Sequence, residues 1–490
     1  MALTVLDKIW SLHELPPPPN DPVTKDNMPL ILIDKIFLHE RTGAIALQNL
    51  TERKLSIREP EHVFCTMDHI VDTKPGRPQI SRMPGGEAFI QALRKGAQQH
   101  GLTLFDIDSP HQGIVHVISP ELAIVQPGLT LICPDSHTCT QGAFGALAWG
   151  VGSSETEHAL ETKTLYLKKP PAMRVWLEGT CPQAVTAKDI MLWLIAEKGA
   201  AGAQGMVVEF AGPVVSAFDM EARMTLCNMA VEFGAFSALI APDEKTFAWL
   251  KDRAYAPKGD AKGGDWGQAL AHWRTFFSDE QAEFAVDMRV DVSKLKPMVS
   301  WGTSPEHAVP IDAPVPDFAP EGVAKKANKK ASKTADIKKA QKYIGVQSGQ
   351  DMRQVPIDAA FIGSCTNSRL ADLRRAASIL KGRKIADGVE AICVPGSRAV
   401  KQAAEKEGLD KIFQAAGFAW HEAGCSMCFY VGGQGFAPGA RVITSTNRNF
   451  EGRQGPAIRS HLASVETVAA SAIAGYICAP DELPANIGAK

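Results

Sequence analysis

The chain has 490 residues, 45% hydrophobic and 22% charged, with a formal net charge of −2. That length suggests about three domains with ample apolar material for their cores, and the near-neutral balance provides no overall field for nucleic acid or a membrane surface. Ten cysteines are too sparse for a disulfide scaffold and suit a reducing compartment. No run is apolar for long enough to span a bilayer, and the first residues lack the basic-then-apolar pattern of a signal peptide, so a cytoplasmic protein is expected.

In chain order, the pattern predicts a short helix over residues 5–15, stopped by the proline run 16–19, and a buried strand over 30–33 ending at Asp34. A strand over 63–67 leads to Asp68 and His69, an amphipathic helix follows over 87–100, and strands are predicted at 114–118 and 129–133. The second of these ends in the polar turn 134–138. After a glycine-rich stretch to Gly152, a helix starts at Ser153. Residues 173–177 are extended, Thr186 caps a helix reaching 197, 206–210 is a strand, 220–233 a helix, and Asp243 begins another. Residues 313–345 are Pro- and Lys-rich and predict a solvated linker with a surface helix. Beyond it, strands at 359–362, 389–394 and 442–443 alternate with helices from Ser368 and over 465–475. Such alternation argues for α/β layers with mostly parallel sheets.

Several predicted strands end in ionisable residues, and ligands of open α/β sheets collect at the carboxyl ends of strands. Asp68, His69, Asp135, His137, Cys365 and Arg448 therefore fall on one plausible rim. His116 and Glu209 lie inside predicted strands, where a charge is costly unless paired. Arg448 and Arg453, in a loop with Asn447, suit bidentate capture of carboxylates or surface ion pairing. Cys365, Cys425 and Cys428 sit in two short glycine-flanked loops. Thiolates at such spacing can hold an iron–sulfur cluster, although a redox dithiol or half of a zinc site would also use Cys-x-x-Cys.

Taken together, the blocks Met67-Asp68-His69, Gly113-Ile114-Val115-His116, Asp135-Ser136-His137-Thr138, Val207-Val208-Glu209, Gly363-Ser364-Cys365-Thr366-Asn367-Ser368 and Gly424-Cys425-Ser426-Met427-Cys428, with residues 447–455, resemble the aconitase superfamily. Within it they are most similar to the isopropylmalate dehydratase large-subunit family. The resemblance runs from the start of the chain to about Gly475. It implies an aconitase-like α/β fold of three domains, drawn at 1–168, 169–312 and 346–490 with 313–345 as linker, around one [4Fe–4S] cluster held by Cys365, Cys425 and Cys428. It also implies a hydro-lyase that dehydrates and rehydrates a hydroxy-dicarboxylic acid, foremost 2-isopropylmalate to 3-isopropylmalate in leucine biosynthesis. Asp68 and His69 would supply the proton to the leaving hydroxyl. His116, Asp135, His137 and Glu209 would pair and orient water, Arg448 and Arg453 would hold carboxylates, and Asn447 and Asn367 would lie near substrate or cluster.

The family's carbon-proton base is a serine on a swivelling domain that this chain has no room for, so the resemblance implies a small-subunit partner. Departures from the family pattern bear on the substrate. They occur at residues 41–47, 70–75, 83–86 and 429–433, and at Arg398. A paralogue acting on citramalate, citraconate or a dialkylmalate is the alternative. An apo-form RNA-binding regulator is disfavoured by the net charge of −2 and by the lack of a basic face outside the linker.

Overall fold

The computed structural model describes residues 2–16, 28–259, 265–317, 327–430, 432 and 435–484, with the side chains of helix Ala327–Ile344 described from residue 336. Among these residues the predicted alternation folds into three all-parallel sheets. The first has the strand order Thr103–Phe105, Val63–Thr66, Lys35–His39, Thr130–Cys133, Leu147–Gly150. The second runs Ser237–Leu239, Val207–Ala211, Ala172–Glu178, Val286–Asp291. The third runs Phe418–Trp420, Glu390–Cys393, Ala359–Ile362, Arg441–Thr444, Arg459–Leu462. The central strands of the first and third sheets are short and wholly buried, as expected where helices cover both faces, whereas Val286–Asp291 at the edge of the second is largely exposed.

Two elements differ from the sequence pattern. Residues 114–118, predicted as a strand, form most of the helix Val115–Glu121. A short apolar run is compatible with either a buried strand or a buried helix. Here the Asp68 carboxylate accepts from the Val115 N–H at 3.2 Å, satisfying one of the donors a helix start leaves open. The predicted strand at 30–33 is the antiparallel Leu30–Leu32 beside Glu14–Leu15 and Thr164–Tyr166, and the parallel core strand is its successor, Lys35–His39. Thr186 does cap the helix Ala187–Lys198, through a reciprocal pair with Asp189. In the linker region the helix Ala327–Ile344 forms and buries Ile337, Ala340 and Ile344 against the third body. The prolines 17–19 and Lys325 and Lys326 lie outside the described residues.

The polar turn after Cys133 continues into a 3-10 helix, Ser136–Phe144, packed against the edge of the second sheet. A Cβ on Gly142 would stand 1.8 Å from the Ala238 carbonyl oxygen, which is backbone and cannot yield cheaply. Gly142→Ala is therefore expected to cost roughly 3 kcal/mol, read as a lowered thermal unfolding midpoint.

Candidate active site

The carboxyl ends of the first and third sheets converge. The first contributes His39, Glu40, Asp68, His69 and Asp135; the third contributes Ser364, Cys365, Asn447, Arg448 and the loop that follows Phe418–Trp420. Backbone bonds join the two rims directly, with the Cys425 N–H donating to the Asp68 carbonyl at 2.8 Å and that of Glu422 to Thr73 at 2.7 Å. The second sheet's contribution comes from its covering helix: Asn228 on Met220–Met229 and Glu232 on the 3-10 turn Ala230–Phe233 that extends it.

Asp135 is the hub. Its carboxylate meets His116 Nε2 at 3.0 Å, His69 Nε2 at 3.2 Å and His137 Nδ1 at 3.6 Å, and accepts from the His137 backbone N–H at 2.7 Å. Burial alone would raise its pKa, but His116, His137 and His69 hold it well below the ordinary carboxylate value. His69 is clasped from its other side by Asp68 at 2.6 Å. Burial opposes its charging, yet Asp68, Cys425 and Asp135 together keep its pKa well above the usual imidazole value. Glu40 braces this loop by accepting from the backbone N–H groups of Asp68 and Ile70. Burial and the nearby Asp68 charge push Glu40 up to about 7. His39 stacks on His69 with ring centroids 4.2 Å apart, and burial, then the His69 charge, bring it down to about 4. The site thus keeps His69 protonated beside a neutral imidazole.

The three cysteines are free thiols, each at most 7% exposed, and the sulfurs of Cys365 and Cys428 share neighbours. Asn447 lies 3.5 Å from Cys365 Sγ and 3.8 Å from Cys428 Sγ, and the Ser364 hydroxyl is 3.9 Å and 3.1 Å from the same two. Asn228 Nδ2 is 3.2 Å from Cys365 Sγ, Arg453 approaches Cys428 Sγ at 3.8 Å, and Cys425 Sγ lies 4.0 Å from His69 Nδ1. Ser364 and Ser426, adjacent to Cys365 and Cys425, adopt φ of +82° and +48°, a left-handed conformation that non-glycine residues take at some cost. The loops are bent so that the sulfurs turn inward. Burial, then Cys428, pushes Cys365 up to about 12, so this sulfur becomes a thiolate only with added positive charge. A ring of amide, hydroxyl and guanidinium donors around buried, convergent thiols is what a thiolate-held iron–sulfur cluster requires. The set fits such a group. It does not suit a bare zinc ion, since among the described residues only His39, Asp68 and His69 bring metal-binding atoms within reach of one ion, and two of those rings are stacked face to face.

Asn367 points away from the thiols, donating to Thr225 at 3.2 Å and Asp372 at 3.1 Å while its own oxygen is buried without a partner. Glu209 is not brought to the site. It stands mid-strand in the second sheet, bonded to Ser278 at 2.6 Å with Arg174 as its nearest cation. The carboxylate that closes the histidine network is Glu232, bonded to His137 Nε2 at 3.0 Å and Arg448 Nε at 2.7 Å. The sequence offered a signal for it. Asn228 sits in the block 225–229, and four residues further on a helical path returns to the same face. Lys188, also unforeseen, is fully buried on the helix Ala187–Lys198 and donates to the Ser445 and Thr446 carbonyls at 2.6 Å and 2.5 Å, fixing the backbone that carries Asn447 and Arg448.

The sequence profile of the aconitase family (aconitate hydratase) matches residues 7–475. The chain belongs to the aconitase family. It is 45% identical over 474 residues, 97% of this chain and 95% of the relative, to 3-isopropylmalate dehydratase large subunit 1 of Bradyrhizobium diazoefficiens (strain JCM 10833 / BCRC 13528 / IAM 13628 / NBRC 14792 / USDA 110). Among solved structures it is similar to the holo-form of aconitase X from Thermococcus kodakaraensis, at 12% identity and a TM-score of 0.47, covering 91% of this chain and 89% of that one. Membership of the aconitase family implies an iron–sulfur cluster, in keeping with the donor set around the three thiols.

Because Glu232 rather than Glu209 closes the network, Glu232→Gln is expected to lower kcat by about 100-fold. Glu209→Gln should stay within about threefold of the parent, since a lone exchange remote from the reacting groups is felt mainly in stability. Steady-state kinetics of the two variants side by side check this.

Proposed function

We propose that this chain is the large, cluster-bearing subunit of a hydro-lyase that interconverts 2-isopropylmalate and 3-isopropylmalate in leucine biosynthesis by removing and re-adding water. The observation that carries the reading is the meeting of three buried thiols with the Asp68–His69 pair and the Asp135 hub in one site. The 45% identity to a large subunit of that dehydratase supports it.

Cys365, Cys425 and Cys428 would hold one [4Fe–4S] cluster per chain. When bound, such a cluster supplies a Lewis-acidic iron lacking a protein sulfur, which polarises the substrate hydroxyl.

The rest falls to side chains. Hydroxide is a poor leaving group, and His69, kept protonated between Asp68 and Asp135, is placed to deliver a proton to it. His116 and His137, both on Asp135, orient the departing water, and Glu232 ties His137 to Arg448. Arg448 and Arg453 hold substrate carboxylates and balance the charge that builds as the carbon proton leaves. That proton is taken by a base on the swivelling domain of a small-subunit partner. A reducing, cytoplasmic setting agrees with ten cysteines that are all free, and among the described residues no helix is long and apolar enough to cross a membrane.

The decisive experiment is anaerobic reconstitution with the small subunit, followed by absorbance of the enoate with isopropylmalate and citramalate as parallel substrates. Turnover of isopropylmalate is expected, and preference for citramalate would transfer the assignment to the smaller acid. The large chain alone should show no turnover. Cys365→Ser, Cys425→Ser and Cys428→Ser should each lose the visible absorbance of the reconstituted cluster along with activity. His69→Asn should retain that absorbance while kcat falls by about 1,000-fold.

A further inference from the structure

Residues 41–47 depart from the family pattern, and the structure gives their first member a position in the site. The Arg41 guanidinium lies over the Phe429 ring, 4.0 Å from its centroid, and Arg453 lies 4.9 Å from the same centroid. Arg41 is half-buried, and among the described residues no oxygen accepts a hydrogen bond from it. The Arg453 Nε is buried with no partner. Two cations therefore share one aromatic ring, and neither is paired with a protein carboxylate. Burial first, and then the Arg453 charge, lowers the proton affinity of Arg41, with the Asp135 charge acting the other way.

Stacking on a ring fixes the plane of a guanidinium while leaving its N–H edges open. Arg453 turns Nη2 to the Cys428 sulfur at 3.8 Å, while Arg41, half-buried with no acceptor among the described residues, keeps an N–H edge that can receive an anion. Phe429 also walls a cavity of about 220 Å³ whose lining includes His69, Val71, Met83 and Ser426. The ring that carries the two cations is thus part of the chamber in which the proton donor stands.

We propose that Arg41 is a substrate-binding and specificity-determining residue, which with Arg453 clamps the substrate carboxylate remote from the departing hydroxyl. This rests on the hydroxy-dicarboxylate reading above and adds a residue to it. The clamp selects acids carrying a second carboxylate and disfavours those in which that group is neutral.

The test uses the reconstituted two-subunit holoenzyme carrying Arg41→Met or Arg41→Lys. For Arg41→Met, kcat/KM on isopropylmalate is expected to fall about 30-fold, most of it in KM, as for loss of a charged hydrogen bond made in ground and transition states alike. Arg41→Lys should recover part of the loss. With the remote carboxylate replaced by a primary amide, the parent should lose a similar factor and Arg41→Met should lose little more.

An unchanged KM in Arg41→Met, or equal losses by both proteins on the amide, would overturn the proposal. So would a fall in cluster absorbance in Arg41→Met, which would make the residue structural. Calorimetric titration with succinate separates this proposal from the assigned reaction. If the parent turns over no isopropylmalate, the assigned reaction fails, while about 30-fold weaker succinate binding by Arg41→Met still supports the clamp and equal binding still defeats it.

Discussion

A single buried carboxylate, Asp135, holds three imidazoles, and the rest of the site is arranged around that fact. A carboxylate has two oxygens and about four lone-pair directions; Oδ1 takes His116 and the His137 backbone N–H with the His137 ring at 3.6 Å, and Oδ2 takes His69. In a dry interior such a group stays ionised only because its partners carry or share positive charge. The arrangement couples the proton donor on the first sheet to a helix that covers the second, through His137 and Glu232, and from there to the third sheet through Arg448. The three sheets meet at one short chain of charges.

The cysteine loops follow a related logic. Arg453 stands 3.8 Å from the Cys428 sulfur and His69 4.0 Å from that of Cys425, yet burial still works against ionisation at Cys365 and Cys425. What the chain supplies instead is geometry and donors: two serines held at positive φ to turn the sulfurs inward, and amides from Asn228 and Asn447 aimed at Cys365. The protein builds the second layer of a centre whose positive charge must come from the bound group.

Much of this was legible in the sequence wherever function sits at the end of a strand. Asp68, His69, Asp135, Cys365 and Arg448 each follow a short apolar run, and the turn after such a run in an open α/β sheet is where ligands gather. The Cys-x-x-Cys loop was equally visible. What was not legible came from elements whose role depends on distant partners. The apolar run at 114–118 cannot declare itself helix or strand, and only the Asp68 carboxylate above its first N–H shows which it is. Glu209 drew attention because a charge inside a strand needs a partner, and its partner proved to be the Ser278 hydroxyl, which donates to it. Glu232 was overlooked because the second sheet's strands offer nothing to the site, while the helix that covers them and its 3-10 extension do.

Lys188 carries a consequence for how the molecule can move. Its ammonium is sealed between a helix covering the second sheet and the backbone at the end of the third, held by two carbonyls. Drawing those layers apart would break both of these short buried hydrogen bonds at once, along with the packing around them. The second and third layers are therefore tied together at the end of the strand that carries Asn447 and Arg448. Traffic of substrate and water falls to the remaining side, where the segment 70–86 of the first layer lines the cavity beside His69 and is fastened to the third layer by the Arg77 guanidinium on the Ala423 carbonyl at 2.6 Å, so any opening there must release that bond.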